Sequence, residues 1–568
     1  MTTATSAPTS ETRGRNMHII WVMVALMTAM LLASLDQMIF STALPTIVGE
    51  LGGVNHMTWV ITAYMVGETI TLPIYGKLGD MIGRKNLFLG AMLIFLAGSI
   101  IGGLSSTMAV LVVGRAIQGI GAGGMMILSQ AIIADEVPPR DRGRYMGYMG
   151  GVFGLSSVLG PVLGGWFAED IGWRWAFWMN IPLGILALYI AFKRLDASKQ
   201  EKQQLRWDYA GTIFMIVATV SLILFTTWGG NQYDWSDPLI IGLIISSIVA
   251  SVIFVIVECR AENPLIPLHF FANRNFALST AAGLTVGITM FGLLAYMPTY
   301  MQMVDGISAT EAGFMMLPLL VGIMGCSISS GRRISTTGRY RHYPVIGFTV
   351  ILISLFLFRS LTVETPLWQL GAYLFVLGVG LGLSMQVLVL VVQNTMPDAV
   401  VGTATSANNF FRQIGGCLGS ALVGGIFVGN LTDLLEDRLP SAVAQLDPAA
   451  QQSFMSSGFN TNNATPELVH QLPAPIHEAF TTSYNDALTP VFLTLVPIMV
   501  LGLILVSLFK AEKLREGHSG EPQHRVVESD DDDEAATSAA AESDADAVPV
   551  LSTSANSTAK TAASDDSN

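Results

Sequence analysis

The chain has 568 residues, of which 51% are hydrophobic and only 12% are charged. This composition excludes a soluble multidomain protein, which would need a much larger charged surface. Many apolar runs of 18 or more residues recur, and each is long enough to cross ~30 Å of hydrocarbon. The net charge of −13 lies mostly in residues 516–568, which hold 13 acidic and two basic residues. The sequence therefore indicates a helical membrane protein whose body is nearly neutral.

Fourteen apolar segments are predicted to span the membrane. In chain order they are residues 18–43, 57–76, 87–105, 107–133, 145–168, 175–194, 208–228, 238–259, 277–301, 312–331, 343–361, 366–392, 403–429 and 488–510. The first segment is too long for a signal peptide and lacks a small-residue cleavage site. Lys and Arg concentrate in the loops that are cytoplasmic if the N-terminus is inside, which predicts that both termini are cytoplasmic. Residues 1–17 and the acidic segment 511–568, disordered by composition, would then be cytoplasmic tails.

A repeated frame divides these spans into two halves. In residues 76–85, GKLGDMIGRK, a glycine followed by a basic residue recurs after seven positions, and the same frame appears in residues 331–340, GRRISTTGRY. The offset of 255 residues also maps the start of the first span near the ninth, and the fifth onto the thirteenth. We therefore predict two related six-helix halves, residues 18–194 and 277–510, with an inserted two-helix hairpin and its linkers at 195–276. Related halves around a site at the midplane are typical of transporters.

Nothing in the sequence indicates an enzyme or a cofactor. Cys259, Cys326 and Cys417 lie far apart in or beside apolar runs, without a disulfide framework or zinc spacing, so we interpret them as packing residues. The GxxxxGK[ST] loop is absent, and ATP drive is not expected. No constellation of a nucleophile and a base, no metal site and no nucleic-acid site is predicted. The polar segment 430–487 is interpreted as a long outer loop, with a substrate gate as the alternative.

Asp36 lies inside the first span. A charge at the centre of a span costs ~2.5–3.5 kcal/mol on insertion scales, so it should face a cavity or a partner. We interpret Asp36 as a carboxyl that binds and releases protons; the alternative is a structural, hydrogen-bonded acid near the outer end of the span. Arg115, ~12 Å from the outer end of the fourth span, needs a partner, for which Asp36 and Glu68 are candidates. Arg115 would tune that acid, or would form a static ion pair with it.

Glu68 is the second intramembrane acid. It lies twelve residues before Asp80, hence ~18 Å from the inner surface at 1.5 Å per residue. Residues at helical spacing around it form a polar stripe on an apolar helix: Tyr64, Glu68, Thr71 and Tyr75. Because a polar stripe facing lipid would be costly, we predict that it lines a central cavity, where Glu68 would couple protons or substrate. A structural buried acid is the alternative.

The fifth span carries seven glycines: Gly147, Gly150, Gly151, Gly154, Gly160, Gly164 and Gly165. They leave a smooth helix surface for close packing. Pro161 removes a backbone hydrogen bond and bends the helix. We interpret this span as part of an interface that moves; ordinary glycine-mediated packing is the alternative.

Several segments together resemble the major facilitator superfamily, specifically its fourteen-span drug:proton antiporters of the QacA/EmrB-like branch. The segments are GKLGDMIGRK (76–85), RAIQGIGAGG (115–124), GPVLGG (160–165), LDQMIFSTALP (35–45), WRWAFWMNIP (173–182) and NNFFRQIGGCLGSA (408–421). The likeness covers roughly residues 18–510. It implies an all-α fold with a 6+2+6 arrangement of spans that alternates between inward- and outward-facing states. Ser156 departs from the family pattern, which often has a glycine there.

The resemblance also assigns roles to residues. It implies that Asp36 couples protons and that Arg115 assists the transfer. The inner ends of the helices would be latched in the outward-facing state by a set of loop residues: Gly76, Asp80, Gly83 and Arg84. Arg84 would pair with Asp135 or Glu136. The flexing interface that favours exchange over uptake would include Gly160, Pro161, Gly164 and Gly165.

We therefore predict a secondary transporter of the plasma membrane that acts as a monomer, needs no cofactor and confers antibiotic resistance. It would export amphiphilic drugs, cationic or lipophilic, in exchange for protons. Two alternatives stay open. One is an exporter of the same fold with a single natural substrate, such as a metabolite, siderophore, amino acid or lipid. The other is a membrane sensor or scaffold that transports nothing and binds partners through its acidic tail.

Overall fold

The structure is a computed structural model. It describes residues 10–51, 57–196, 206–230, 232–448, 451–452, 466–510 and 514. Within these ranges the regular structure is helical, apart from an isolated bridge between Gly229 and Tyr233. The predicted acidic tail, 511–568, lies outside the described residues except for Leu514.

The N-terminal half contains seven α-helices in the described part of the chain, with a short π-helix (Phe167–Ile171) after the fifth. They are α1 (Ser10–Leu51), α2 (Met57–Ile82), α3 (Arg84–Gly103), α4 (Met108–Glu136), α5 (Pro139–Trp166), α6 (Trp175–Trp178) and α7 (Asn180–Arg194). Gly83, with a φ of 95°, separates α2 from α3 in a conformation that favours glycine. The side chain of Thr107 caps α4 by accepting from the backbone N–H of Val110.

The inserted hairpin consists of α8 (Tyr209–Trp228) and α9 (Pro238–Glu258). Both helices begin at an aspartate cap: Asp208 accepts from the Gly211 N–H at 2.8 Å, and Asp237 accepts from the Leu239 N–H at 2.8 Å. The two helices pack against each other, and α8 also packs against α2 and against a helix of the C-terminal half. The hairpin is therefore attached to the side of the bundle that the two halves form.

The C-terminal half continues with ten α-helices whose bounds lie within the described residues. They are α10 (Arg274–Leu294), α11 (Met297–Met303), α12 (Ala309–Met315), α13 (Leu317–Thr337), α14 (His342–Arg359), α15 (Leu367–Thr395), α16 (Val401–Ala444), α17 (Pro466–His470), α18 (Ala474–Leu488) and α19 (Val491–Ser507). The 3-10 turns Leu268–Ala272 and Asp398–Val400 precede α10 and α16. The halves meet where α5 packs on α13 and α2 packs on α16. At the first contact a Cβ on Gly147 would lie 2.5 Å from the carbonyl oxygen of Ser327. Glycine is required there because the two helix backbones approach closely.

The predicted all-α membrane fold is confirmed. Thirteen helical segments in the described ranges are long and apolar enough to cross a membrane. A fourteenth helix, α2, has 26 residues and packs between α4 and α16. It is not among the thirteen segments selected by apolarity, so its length and packing identify it as a span.

Two predicted segment boundaries differ from the structure. Helix α1 begins at Ser10, inside the predicted tail 1–17. The predicted outer loop 430–487 is largely helical where it is described, because α16 continues to Ala444 and α18 follows. These helices pack on each other, and Arg438 pairs with Asp486 at 2.7 Å. A helix whose polar residues pair with those of a neighbouring helix can be as polar in composition as a loop. This is why the sequence indicated a loop where the structure has packed helices.

The turn between α11 and α12 holds a pH-sensitive group outside the spans. Burial raises the pKa of Asp305 to about 6, and its Oδ2 has no hydrogen-bond partner among the described residues. The folded protein therefore holds this proton more tightly than the unfolded chain. Its stabilising effect is fully present below pH ~4 and is lost as pH rises through about 6, a change of about 1–2 kcal/mol after allowing for solvent screening.

We expect Asp305→Asn to remove this pH dependence. Thermal unfolding of the detergent-solubilised protein between pH 4 and 7.5 would show a steeper decline in the wild type than in the variant. Asp234→Asn, at an exposed position, is the matched control and should behave as the wild type. Parallel curves for wild type and Asp305→Asn would contradict the assignment.

Candidate functional site

Asp36 lies at the centre of a buried polar cluster in the N-terminal half. Its Oδ2 forms an ion pair with the guanidinium of Arg115, and neither side chain is exposed by more than 1%. Its Oδ1 accepts from Gln118 Nε2 at 3.1 Å and from Asn180 Nδ2 at 3.0 Å. Ser99 joins the cluster by accepting from Gln118 at 2.8 Å. Helices α1, α3, α4 and α7 thus all supply side chains to one ion pair.

Arg115 makes hydrogen bonds and aromatic contacts in addition to its ion pair. Its Nε donates to the carbonyl of Val60 at 3.3 Å, and its Nη1 also donates to Gln118 at 3.0 Å. The rings of Phe40 and Tyr64 lie 4.1 Å and 4.3 Å from its guanidinium carbon. Cation–π contacts of this kind stabilise a desolvated arginine. Of the two predicted partners, Asp36 and Glu68, the one that forms an ion pair with Arg115 in the structure is Asp36.

Glu68 lies apart from this ion pair. It is buried, and its Oε2 has no hydrogen-bond partner in the described part of the chain. Its strongest electrostatic interaction is with Arg412, followed by that with Arg115. Glu68 belongs to α2 and Arg412 belongs to α16, so these two opposite charges lie in different halves. The Thr71 hydroxyl donates within its own helix, to the Gly67 carbonyl at 2.8 Å.

The predicted polar stripe does not line the cavity that the structure shows. The stripe packs on α4 instead: a Cβ on Gly123 would collide with Thr71, and one on Gly124 would lie 2.8 Å from the ring of Tyr75. Tyr64 donates to the Ala33 carbonyl of α1 at 2.8 Å. Glycines on α4 make room for these polar side chains, so a neighbouring helix covers the stripe.

The loop residues predicted to form a latch come together at the end of the bundle where α2 and α3 meet. Asp80 accepts from the N–H groups of Gly402 and Thr403 at 3.1 Å and 2.6 Å, and from the Thr403 hydroxyl at 2.8 Å. These N–H groups belong to the first turn of α16, where they lack partners in the helix and favour an anion. A Cβ on Gly76 would lie 2.8 Å from the Gly402 carbonyl oxygen, so glycine allows this contact.

Arg84 connects the latch to α4. It bonds Asp80 at 2.7 Å and the Ala131 carbonyl at 2.6 Å, and it forms an ion pair with Asp135. Of the two acids predicted as its partner, the structure selects Asp135. Glu136 instead lies 4.0 Å from His18 of α1.

A second set of contacts closes the same end of the bundle. Arg142 on α5 pairs with Asp398, which precedes α16, at 3.4 Å. Gln130 on α4 accepts from Asn409 on α16 at 3.0 Å, and its carbonyl accepts from Gln393 on α15 at 3.3 Å. The two halves are therefore joined at this end of the bundle.

The glycine-rich motif of α5 lies against α1 and α12. A Cβ on Gly160 would collide with Met38, and one on Gly165 would lie 3.2 Å from the Thr310 hydroxyl. Gly164 and Pro161 are buried on the same helix. The motif thus contacts helices of both halves, the position expected of an interface that moves; the motion itself stays a prediction.

A central cavity of about 350 Å³ lies beyond this closed end. Residues of α1, α2, α5, α10 and α16 line it, with Met38 and Pro161 on one side and Met290 and Phe291 on the other. Gln37 and Met38 follow Asp36 directly on α1. A displacement of the backbone at Asp36 would therefore also displace Gln37 and Met38 in the cavity wall.

Comparison with known proteins identifies the family. The model of the Major Facilitator Superfamily matches residues 26–420. The chain belongs to the major facilitator superfamily. An uncharacterised transporter of Mycobacterium tuberculosis (strain H37Rv) is 38% identical over 91% of this chain and 74% of its own length. The multidrug transporter protein MdtP of Bacillus subtilis (strain 168) is 33% identical over 89% of this chain and 95% of its own length.

The solved structures agree with this assignment at the level of the fold. The proton:xylose symporter XylE matches with a TM-score of 0.54 and 13% identity, covering 88% of this chain and 98% of its own. As a member of the major facilitator superfamily, the chain is a multi-pass membrane transporter and not an enzyme.

Several residues of this major facilitator superfamily site were not predicted from the sequence. Gln118 and Asn180 lie in segments that matched family motifs, and Ser99 lies in none. One signal was present: Gln118 follows Arg115 by three residues and so shares its helix face. Arg142 and Thr403 gave no such signal, because an arginine in a cytoplasmic loop and a threonine at a helix start are common.

Proposed function

We propose that this transporter exports amphiphilic drugs, lipophilic or cationic, across the plasma membrane in exchange for protons. Its similarity to a protein named as a multidrug transporter supports the substrate class. It would act as a monomer without a cofactor, with both termini in the cytoplasm.

The buried Asp36–Arg115 pair is the observation that carries the proposal. It is a proton-binding group with a fixed counter-charge, adjacent along α1 to the cavity wall. Protonation of Asp36 from outside would neutralise the carboxylate and release Arg115 from its ion pair. The resulting movement of α1 at Gln37 and Met38 would reshape the cavity and release the substrate. Deprotonation toward the cytoplasm would restore the pair for the next cycle.

Glu68 gives the mechanism a second acid. Because Glu68 and Arg412 belong to different halves and interact electrostatically, the distance between them would change when the halves rock. It would therefore link the charge state of the cavity region to the opening of the transporter.

The energy available is sufficient for export. Each elementary charge that moves inward gains ~2.3 kcal/mol per 100 mV of membrane potential. A tenfold concentration gradient of a neutral substrate costs ~1.4 kcal/mol. One or two protons per cycle therefore support a gradient of tenfold or more.

The test is transport by the purified protein in liposomes. We expect an imposed pH gradient to drive movement of a fluorescent amphiphile such as ethidium, and a counterflow of protons to accompany it. Protein-free liposomes and a protonophore provide the controls. Transport that survives complete collapse of the proton gradient would refute proton coupling. Absence of transport by intact protein would favour the exporter with a single natural substrate.

A further inference from the structure

The central cavity contains no charged side chain among the described residues that line it. Its wall consists of apolar groups, among them Met65, Phe153 and Met316, and of neutral polar groups, among them Gln37 and Gln302. Asp36 and Glu68 lie behind this wall and do not form part of it. Bringing an ionic group into such a site without a partner is costly. The cavity wall is therefore suited to an uncharged ligand.

A side chamber of about 180 Å³ adjoins the central cavity. The two share Ile61, Met65 and Ser420 in their linings, so they meet at these three residues. The chamber lies where α8 of the inserted hairpin packs on α2 and α16. Thr226 and Gly229, at the end of α8, form one wall of it.

The chamber wall offers hydrogen-bonding groups but no charge among the described residues. Thr226, Ser420 and Tyr296 supply hydroxyls, and small residues of α16 leave the space open. The Tyr296 hydroxyl donates to the Ser420 carbonyl at 3.2 Å, which places it beside one of the three residues that both cavities share.

Aromatic side chains of the hairpin surround the outer side of this chamber. Trp228 packs edge-on against Trp59 of α2, with ring centroids 5.1 Å apart. Its indole Nε1 is buried and has no hydrogen-bond partner in the described part of the chain. Trp235 lies against Gly229 and Gly425. Indole rings concentrate at the interface between hydrocarbon and water, so this end of the chamber lies near the membrane surface.

We infer that the central cavity and the side chamber form one binding site for an uncharged lipophilic molecule that carries a hydrogen-bonding group, and that the inserted hairpin supplies one wall of this site. The apolar part of the ligand occupies the methionine-lined cavity, and its polar group lies among the hydroxyls of the chamber. The hairpin is thus a determinant of specificity. This inference rests on the proposed function and narrows its substrate class from cationic or lipophilic to uncharged.

The first experiment compares two probes in liposomes containing the wild-type protein. We expect N-phenyl-1-naphthylamine, which is neutral at pH 7, to evoke a saturable proton flux that an interior-negative potential increases. The permanent cation ethidium should do so with kcat/KM lower by about tenfold or more, because the site has no counter-charge. Proton-coupled movement of ethidium without that of the neutral probe would overturn the inference and leave the proposed function standing. Proton coupling with neither probe would overturn both.

The second experiment fills the chamber. Ala421 lines only the chamber, whereas Leu422, the next residue on α16, is 39% exposed on the outer surface of the helix. We expect Ala421→Phe to raise KM for the neutral probe by about tenfold, and Leu422→Phe to leave it unchanged. Gly425→Leu serves as a second filling variant, since a Cβ there lies 3.5 Å from Trp235 in ordinary contact. Unchanged KM in both folded filling variants would overturn the role of the chamber.

A third pair of variants tests the hydroxyl of the hairpin itself. Thr226 lines the chamber, and its hydroxyl donates to the Leu222 carbonyl at 2.9 Å. Thr212, at the other end of α8, makes the equivalent bond to the Asp208 carbonyl at 2.6 Å. We expect Thr226→Val to raise KM by about threefold or more and Thr212→Val to have no effect. Equal effects of the two variants would indicate a role in helix stability alone and would contradict contact with the ligand.

Discussion

Replacing Asp36 with asparagine is expected to reduce proton-driven transport to the level of protein-free liposomes. Asparagine has the size of aspartate and can still accept from Gln118 or Asn180, but it cannot bind and release a proton. The variant also leaves Arg115 buried without its counter-ion. Removing one partner of a buried pair costs about 3–5 kcal/mol, so we expect thermal stability to fall as well.

A second variant separates the loss of coupling from the loss of stability. Asp36→Asn combined with Arg115→Gln removes both charges and should recover much of the stability, because no isolated charge stays buried. It should still lack proton-driven transport. Asp234→Asn, at an exposed position, controls for the substitution itself and should transport as the wild type does. Transport by the double variant with the pH dependence of the wild type would show that the pair is static and not part of the coupling.

Much of this fold follows from the sequence because the membrane limits the possible structures so strongly. Backbone groups in hydrocarbon must be satisfied within a helix, so the length of an apolar run and the position of its flanking charges suffice to place most spans. The sequence also indicates the ion pair, because Asp36 and Arg115 are charged residues inside spans and such residues need partners. The choice between Asp36 and Glu68 depended on how α1, α2 and α4 pack, which depth alone does not determine.

The environment of a polar side chain was harder to predict. A stripe at helical spacing indicates which face of α2 is polar, but not whether a cavity or another helix covers it. Glycines at positions 119, 123 and 124 of α4 bring its backbone against the stripe, and this closeness decides the outcome. In the outer segment the same ambiguity concerned Arg438 and Asp486, whose pairing turns two polar stretches into packed helices. Both cases depend on contacts between elements distant in sequence.

Asp80→Asn is expected to lower the turnover rate by about tenfold or more while changing KM little. The Asp80 carboxylate accepts hydrogen bonds from Arg84 and from backbone N–H groups in the first turn of α16. Its negative charge also interacts favourably with the dipole of α16 at that end of the helix. An asparagine has one acceptor oxygen and no charge. Loss of the carboxylate should destabilise the state in which the inner end is closed by roughly 2–3 kcal/mol. The ratio of closed to open protein would then fall by about 30- to 150-fold.

Because Asp80 is distant from the cavity, the substrate should bind as before, while the return to the closed state becomes slow. Spin labels at Asp141→Cys and Arg339→Cys, on exposed sites at the inner ends of opposite halves, would report the opening as a longer distance in Asp80→Asn. Asp208→Asn is the matched control, since Asp208 caps only its own helix, α8. We expect this control to keep both turnover and distance. Unchanged turnover and distance in Asp80→Asn would instead mean that Arg142 and Gln130 hold the inner end closed without the latch.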